Sequence, residues 1–262
     1  MFVQDRTGSQ LHSRSLATLF ITALMAFALS RGSVCASSTS CWQITQKHKL
    51  NGKQVLFVGE NKWRLENKDL GYDLIADAST GTINVFNKSK KLRFKSPFAN
   101  FDCTSVRLFR VVSGEELKDL KWKPLPRKDS APVATSYYQA ETERTCFRGS
   151  PSGGYLAGTK YIARIRYTMA ISNQIKMQPE LAKVLSDFQG TPDLGGVPLR
   201  EIIEFSDKPP TKNIDTLAIK HMNTPAQIWK VPDTYKETVQ IGDVVTSGDS
   251  TLLEDFTENL IH

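Results

Sequence analysis

The chain has 262 residues and a formal net charge of +7, with 23% charged residues and acids interspersed among bases. A positive balance this mild, without a recognisable nucleic-acid-binding module, argues against DNA or RNA as the partner. The length suits one domain with a sizeable core or two small ones.

The first segment carries the strongest signal. Arg6, His12 and Arg14 precede the apolar run Leu16 to Leu29, and Val34-Cys35-Ala36 follows as a small-residue exit ahead of Ser37. This pattern predicts an export signal over residues 1–36. The run would extend about 21 Å as a helix, against a hydrocarbon core of roughly 30 Å, so it is short for a permanent span. No later stretch approaches 18 continuous apolar residues, so no further span is expected. The mature protein is then periplasmic or secreted, with surface anchoring left open. Cys35 leaves with the signal, while Cys41, Cys103 and Cys146 remain. An odd number allows at most one internal bridge. Cys103 with Cys146 is the pairing expected here, with Cys41 to either of them as the alternatives. Ser38-Thr39-Ser40-Cys41 makes a poor lipoprotein signal.

From Trp42 the chain reads as consecutive short strands. Trp42–Leu50, Gln54–Val58, Lys62–Glu66, Tyr72–Ala76, Thr82–Phe86 and Leu92–Phe94 are separated by turn residues at Gly52, Gly59-Glu60-Asn61, Ser79-Thr80-Gly81 and Asn87-Lys88-Ser89-Lys90. Alternating runs with turns every 8 to 12 residues predict an antiparallel meander, one face buried and the other wet. Val106–Val112 reads as a strand. Ser113 with Glu116 is a capping-box start for a short helix, and Lys123–Pro132 reads as a loop. Tyr137–Phe147 is a strand, Gly149–Gly158 a loop, and Lys160–Ala170 a strongly alternating strand. Pro179, the stripe Leu181, Val184, Leu185 and Phe188, and Gly190 together define one helix. Strands resume at Val197–Phe205, Ile214–Lys220 and Gln227–Val231. Residues 246–262 form an acidic tail with a short helix in prospect at Thr251–Ile261.

No catalytic signature emerges, and none of HExxH, CxxC or a calcium loop occurs. His48, between Lys47 and Lys49, reads as a surface residue, and His221 has no spaced partner. Gly248-Asp249-Ser250 fits a helix cap better than a hydrolase motif. Gly149-Ser150-Pro151-Ser152-Gly153 has proline where a nucleophile elbow needs serine. Glu201 and Glu204 fall on opposite faces of one strand, which argues against a catalytic pair. Lys88, Lys90, Lys91, Arg93 and Lys95 form the densest basic cluster. They serve either to guard a sheet edge or to meet anionic headgroups or an anionic polymer. Asn87-Lys88-Ser89 matches a glycosylation acceptor, should the source be eukaryotic. Trp42, Trp63, Trp122 and Trp229 read as core anchors.

Trp63–Glu66, Tyr72–Ala76, Thr82–Asn87 with the lysine-rich turn, then Gly195-Gly196-Val197-Pro198-Leu199-Arg200, Ile214–Lys220 and Ile228–Lys236 make a longer outline. It resembles exported bacterial proteins similar to the outer-membrane lipoprotein carrier family, over roughly Trp42 to Val239 and less well over Asp102–Tyr155. The resemblance implies a mostly antiparallel β fold with a few helices: a curved sheet or half-barrel with a helical lid, in one domain over residues 37–245. Its concave face would be apolar, with helix Pro179–Gln189 as lid or plug. That family has no short catalytic motif, so no functional residue is carried over. The expectation is a non-enzymatic envelope protein that holds a lipid or acylated ligand, with Ile165 and Tyr167 lining the groove and no cofactor or metal. The alternatives are a cell-surface structural or adaptor protein recognising another protein, and a secreted carboxylate hydrolase.

Overall fold

The computed structural model describes residues 38–49, 51–103, 117–126, 132–148 and 159–245. The export segment, the strand at Val106–Val112, the capping box from Ser113, the loop Gly149–Gly158 and the tail helix fall outside them.

Twelve strands build one sheet: β1 (Ser38–His48), β2 (Gly52–Val58), β3 (Lys62–Asn67), β4 (Tyr72–Asp77), β5 (Thr82–Asn87), β6 (Leu92–Pro97), β7 (Lys123–Leu125), β8 (Thr135–Arg148), β9 (Thr159–Ser172), β10 (Val197–Phe205), β11 (Lys208–Pro225) and β12 (Lys236–Glu237). Their order is β12-β6-β5-β4-β3-β2-β1-β11-β10-β9-β8-β7. The sheet is curved and open, its end strands unjoined. Every pairing is antiparallel except the parallel one between β12 and β6.

The meander β1 to β6 owes its register to a repeated turn device. β3, β4 and β5 end on Asn67, Asp77 and Asn87. Each side chain accepts hydrogen bonds from backbone N–H groups two or three residues on: Leu70 at 2.9 Å, Ser79 at 2.9 Å, and Ser89 and Lys90 at 3.0 Å. Such side-chain turns fix where each strand reverses. Alternation then sends Trp63 and Leu65, Tyr72 and Leu74, and Ile83 and Val85 to the concave face, all buried.

The convex face of the meander departs from the expected wet surface. Phe57, Arg64, Asp73, Ile75 and Phe86 point that way and are buried too. The reason is the segment after β11, which crosses this face. Arg64 Nη1 donates to the Ile228 carbonyl at 2.7 Å, and Tyr235 stands edge-on to Phe86 at 6.1 Å between ring centroids. Within this segment the expected strand Gln227–Val231 is instead a 3-10 turn over Ala226–Trp229. Pro225, which lacks an N–H, ends β11 just before it. The chain then rounds the edge of β6 as β12 and returns to the concave side as helix α2 (Ile241–Val245), where Val244 is buried. Asn87 Nδ2 donates to the Val244 carbonyl at 3.1 Å. Asn87 is thus buried and engaged, which leaves no room for a glycan in the folded protein.

Helix α1 (Pro179–Gln189) has its expected limits. Proline sits at its first position and Glu180 complements the N-terminal dipole. Gly190 adopts φ 70° and its N–H bonds to Asp187, while Thr191 N–H bonds to the Ser186 carbonyl at 2.9 Å. That left-handed stop favours glycine. The expected loop Lys123–Pro132 is corrected at its start, where Lys123–Leu125 pairs with Tyr137–Gln139. Pro124 is tolerated there because β7 is an edge strand.

Candidate functional site

The concave face is the candidate site. Its floor over the meander is apolar, and α1 lies on it with Leu181, Val184, Leu185 and Phe188 all buried. Trp63 Nε1 donates to the Leu181 carbonyl at 3.1 Å, so Trp63 is a core anchor as expected. Trp42, Trp122 and Trp229 are only partly buried.

Beneath the C-terminal half of α1 the floor turns polar. Gln46 and Gln54 face each other across β1 and β2, both fully buried. Gln46 Oε1 accepts from Gln54 Nε2 and from Gln189 Nε2, each at 3.3 Å, and Gln46 Nε2 donates to the Pro198 carbonyl at 2.7 Å. Gln54 Oε1, Gln189 Oε1 and Ser186 Oγ have no partner. His48 completes this strip. It is buried, not a surface residue, because period-two alternation places it with Ile44 and Gln46 while Lys47 and Lys49 point away. The Asn51 N–H donates to Nδ1 and the Gln189 carbonyl accepts from Nε2, both at 3.2 Å, so the ring is the neutral Nε2–H tautomer.

Glu201 lies on the same face and is fully buried. Across the sheet it is flanked by Ile214 on β11 and Met169 on β9. Asn213 Nδ2 donates to Oε2, while Oε1 has no partner. Burial pushes this carboxyl up to about 7, against the Asn213 hydrogen bond. Beyond it, Ile165 and Tyr167, the expected groove residues, are covered by Leu117, with Leu120 and Trp122 packed alongside. Burial also raises the Tyr167 phenol. Glu204 points to the other face, as expected, and pairs with Arg166 at 3.3 Å.

On the convex side Arg64 is held by Asp73 at 2.6 Å and Glu66 at 3.0 Å, and Lys88 reaches Asp73 at 2.9 Å. Burial works to raise the Glu66 carboxyl, but hydrogen bonding from Lys68 and the charges of Arg64, Lys68 and Lys88 outweigh it, and the net shift is downward. The basic cluster is therefore divided. Lys88 and Arg93 are in ion pairs, the latter with Glu237 at 3.1 Å, and Lys90 Nζ donates to the Asp243 carbonyl at 2.8 Å. Lys91, at φ 52°, and Lys95 are exposed.

A cleft of about 150 Å³ opens where β10 and β11 diverge, lined by residues including Tyr137, Ala170, Leu199, Arg200, Leu217 and Ile219. A second of about 160 Å³ adjoins it and shares Thr135 and Tyr137. Among the described residues there is no metal-ligand cluster and no helix long and apolar enough to cross a membrane. Cys41 and Cys103 are thiols, and no disulfide is formed among the described residues; the Cys146 side chain lies outside them. Cys41 is buried, and burial raises its thiol pKa against a 3.6 Å contact with Thr224 Oγ1.

The sequence reading missed Gln46, Gln54 and Gln189, and it set Glu201 on the opposite face from Glu204 without foreseeing its burial. A signal existed: each occupies an inward position of an otherwise apolar pattern, where a polar residue is informative. No family model and no curated protein matches the chain. Among solved structures, a Thermus thermophilus protein described as an uncharacterized conserved protein is similar at 11% identity, covering 83% of this chain and 98% of its own, with a TM-score of 0.37.

Proposed function

We propose that the protein is a non-enzymatic, exported binding protein for a hydrophobic ligand, with the curved sheet as its bowl and α1 as a displaceable lid. The observation that carries this reading is how the concave face is closed. Among the described residues the cover over the meander is the 11-residue α1 and the short α2 rather than a second sheet, and α1 seals imperfectly over the orphaned Ser186 Oγ, Gln189 Oε1 and Gln54 Oε1. Buried polar atoms without partners weaken an interface.

The energies are comparable. Exposing the four apolar side chains of α1 costs roughly 6–12 kcal/mol at about 1.5–3 kcal/mol each. An acyl chain of about 14 methylenes buried in their place returns about 11 kcal/mol at about 0.8 kcal/mol per CH₂. Long acyl chains can therefore exchange with the helix, and short ones cannot.

The test is native mass spectrometry of protein from its natural source, followed by delipidation and titration with labelled fatty acids of 8 and 16 carbons. Co-purified lipid and uptake of the longer chain alone are expected. An empty native protein that takes up neither chain refutes the reading.

A further inference from the structure

β11 has two pairing lives. Residues 208–215 are bonded to β10 on one side, but from Thr216 to Pro225 the strand pairs only with β1. Among the described residues no strand takes the other side of this stretch, and no further backbone bond reaches residues 217–223. The split is built in. At its apex Thr216 Oγ1 donates to the Leu199 carbonyl at 2.6 Å and Gln46 Nε2 to the Pro198 carbonyl, so side chains satisfy β10 where β11 leaves it. Beyond the apex a row of outward backbone groups stands open beside the 150 Å³ cleft, with Leu217 59% exposed at its mouth. Long strand edges are ordinarily guarded by charge, proline or a bulge. This one has a bulge at Leu217, where the register with β1 skips from Thr216 to Ala218, and then only Lys220 before Pro225, while Ala218 to Asn223 pair regularly with β1 on the other side.

We propose that this edge is a docking site for an extended, acidic segment of a partner protein, added as a strand against residues 217–223. Main-chain hydrogen bonds supply affinity in such additions, and a pocket for alternate side chains supplies specificity. Here the pocket is the cleft, whose Leu199, Ala170, Leu217 and Ile219 suit an apolar side chain. The charge around it favours an acidic occupant. Arg200 and Lys212 share Asp215 as their one acid, Lys220 is exposed further along, and residues 216–225 contain no acid. The site is on a different part of the molecule from α1 and does not depend on ligand carriage.

The test uses the full mature chain and three synthetic octapeptides: alternating Glu-Val, alternating Lys-Val, and Glu-Val with every second amide N-methylated. Hydrogen exchange across 216–225 and fluorescence anisotropy are the readouts. The Glu-Val peptide is expected to slow exchange at 217–223 and to bind at least tenfold more tightly than the other two. Leu217→Ser, at an exposed position, removes the apolar contact without changing the charge and should weaken it about tenfold without changing exchange elsewhere. Absent protection, or equal binding by the N-methylated peptide, overturns the proposal. So does an edge already protected in a concentration-dependent dimer, which would assign it to a second copy of the chain.

Discussion

Glu201→Gln separates a buried acid from every other titrating group. The Glu201 carboxyl is held near 7 by burial, against an unfolded value of 4.5. Between these values the unfolded chain releases its proton while the native state keeps it, so stability declines with rising pH. The contribution is fully present below 4.5 and is lost by the time pH has risen through about 7. A gap of about 2.5 pH units corresponds to roughly 3 kcal/mol. Glutamine keeps the shape and cannot ionise. Urea unfolding of both proteins at pH 5 and pH 8 should show the variant gaining about 2–3 kcal/mol relative to the wild type across that interval. Whatever glutamine costs at pH 5 cancels in this difference. A gap between the two proteins that stays constant to within about 0.5 kcal/mol would falsify the account of Glu201 as an uncompensated buried acid.

Three further outcomes follow from the geometry. Asp73→Asn removes the shorter of Arg64's two carboxylate contacts and the partner of half-exposed Lys88, and because Glu66 still pairs with Arg64, urea denaturation should show a loss of about 1.5–3 kcal/mol, typical of a hydrogen bond to a charged group. Gly52→Ala forces a side chain into φ 70° and drives its Cβ into the Asp69 carboxylate; calorimetry should register a destabilisation of about 2 kcal/mol or more. Phe188→Ala empties a fully buried site under α1 and should cost about 3–5 kcal/mol by urea denaturation, with helix dichroism retained at low denaturant.

The local elements were legible because their rules are local. The limits of α1 are written in Pro179, its apolar stripe and Gly190, and the meander in alternation and in the turns at Gly52, Gly59-Glu60-Asn61, Ser79-Thr80-Gly81 and Asn87-Lys88-Ser89-Lys90. What escaped was whatever depended on distant chain. His48 reads as a surface residue between two lysines; alternation with Ile44 and Gln46 points it inward, but only the fold brings distant Gln189 to enclose it. Arg64 and Asp73 look like the wet face of a sheet until residues 226–237 cross them. The strand foreseen at Gln227–Val231 has the right residue types but is spent on that crossing. The four buried glutamine and glutamate residues broke an apolar pattern and were visible as exceptions. Their convergence across β1, β2, β10 and α1 required the fold.

The pairing of β1 with β11 sets the order in which the chain can finish. Ser38 meets Pro225, so the first strand lacks one of its two neighbours until nearly the whole sequence has been made. Contacts between such remote positions delay acquisition of the native state, because a large loop must close before they yield any return. For an exported polypeptide, as proposed, this tardiness is an advantage when translocation starts during synthesis: the central seam cannot zip up on the wrong side of the membrane while its last long strand is still missing.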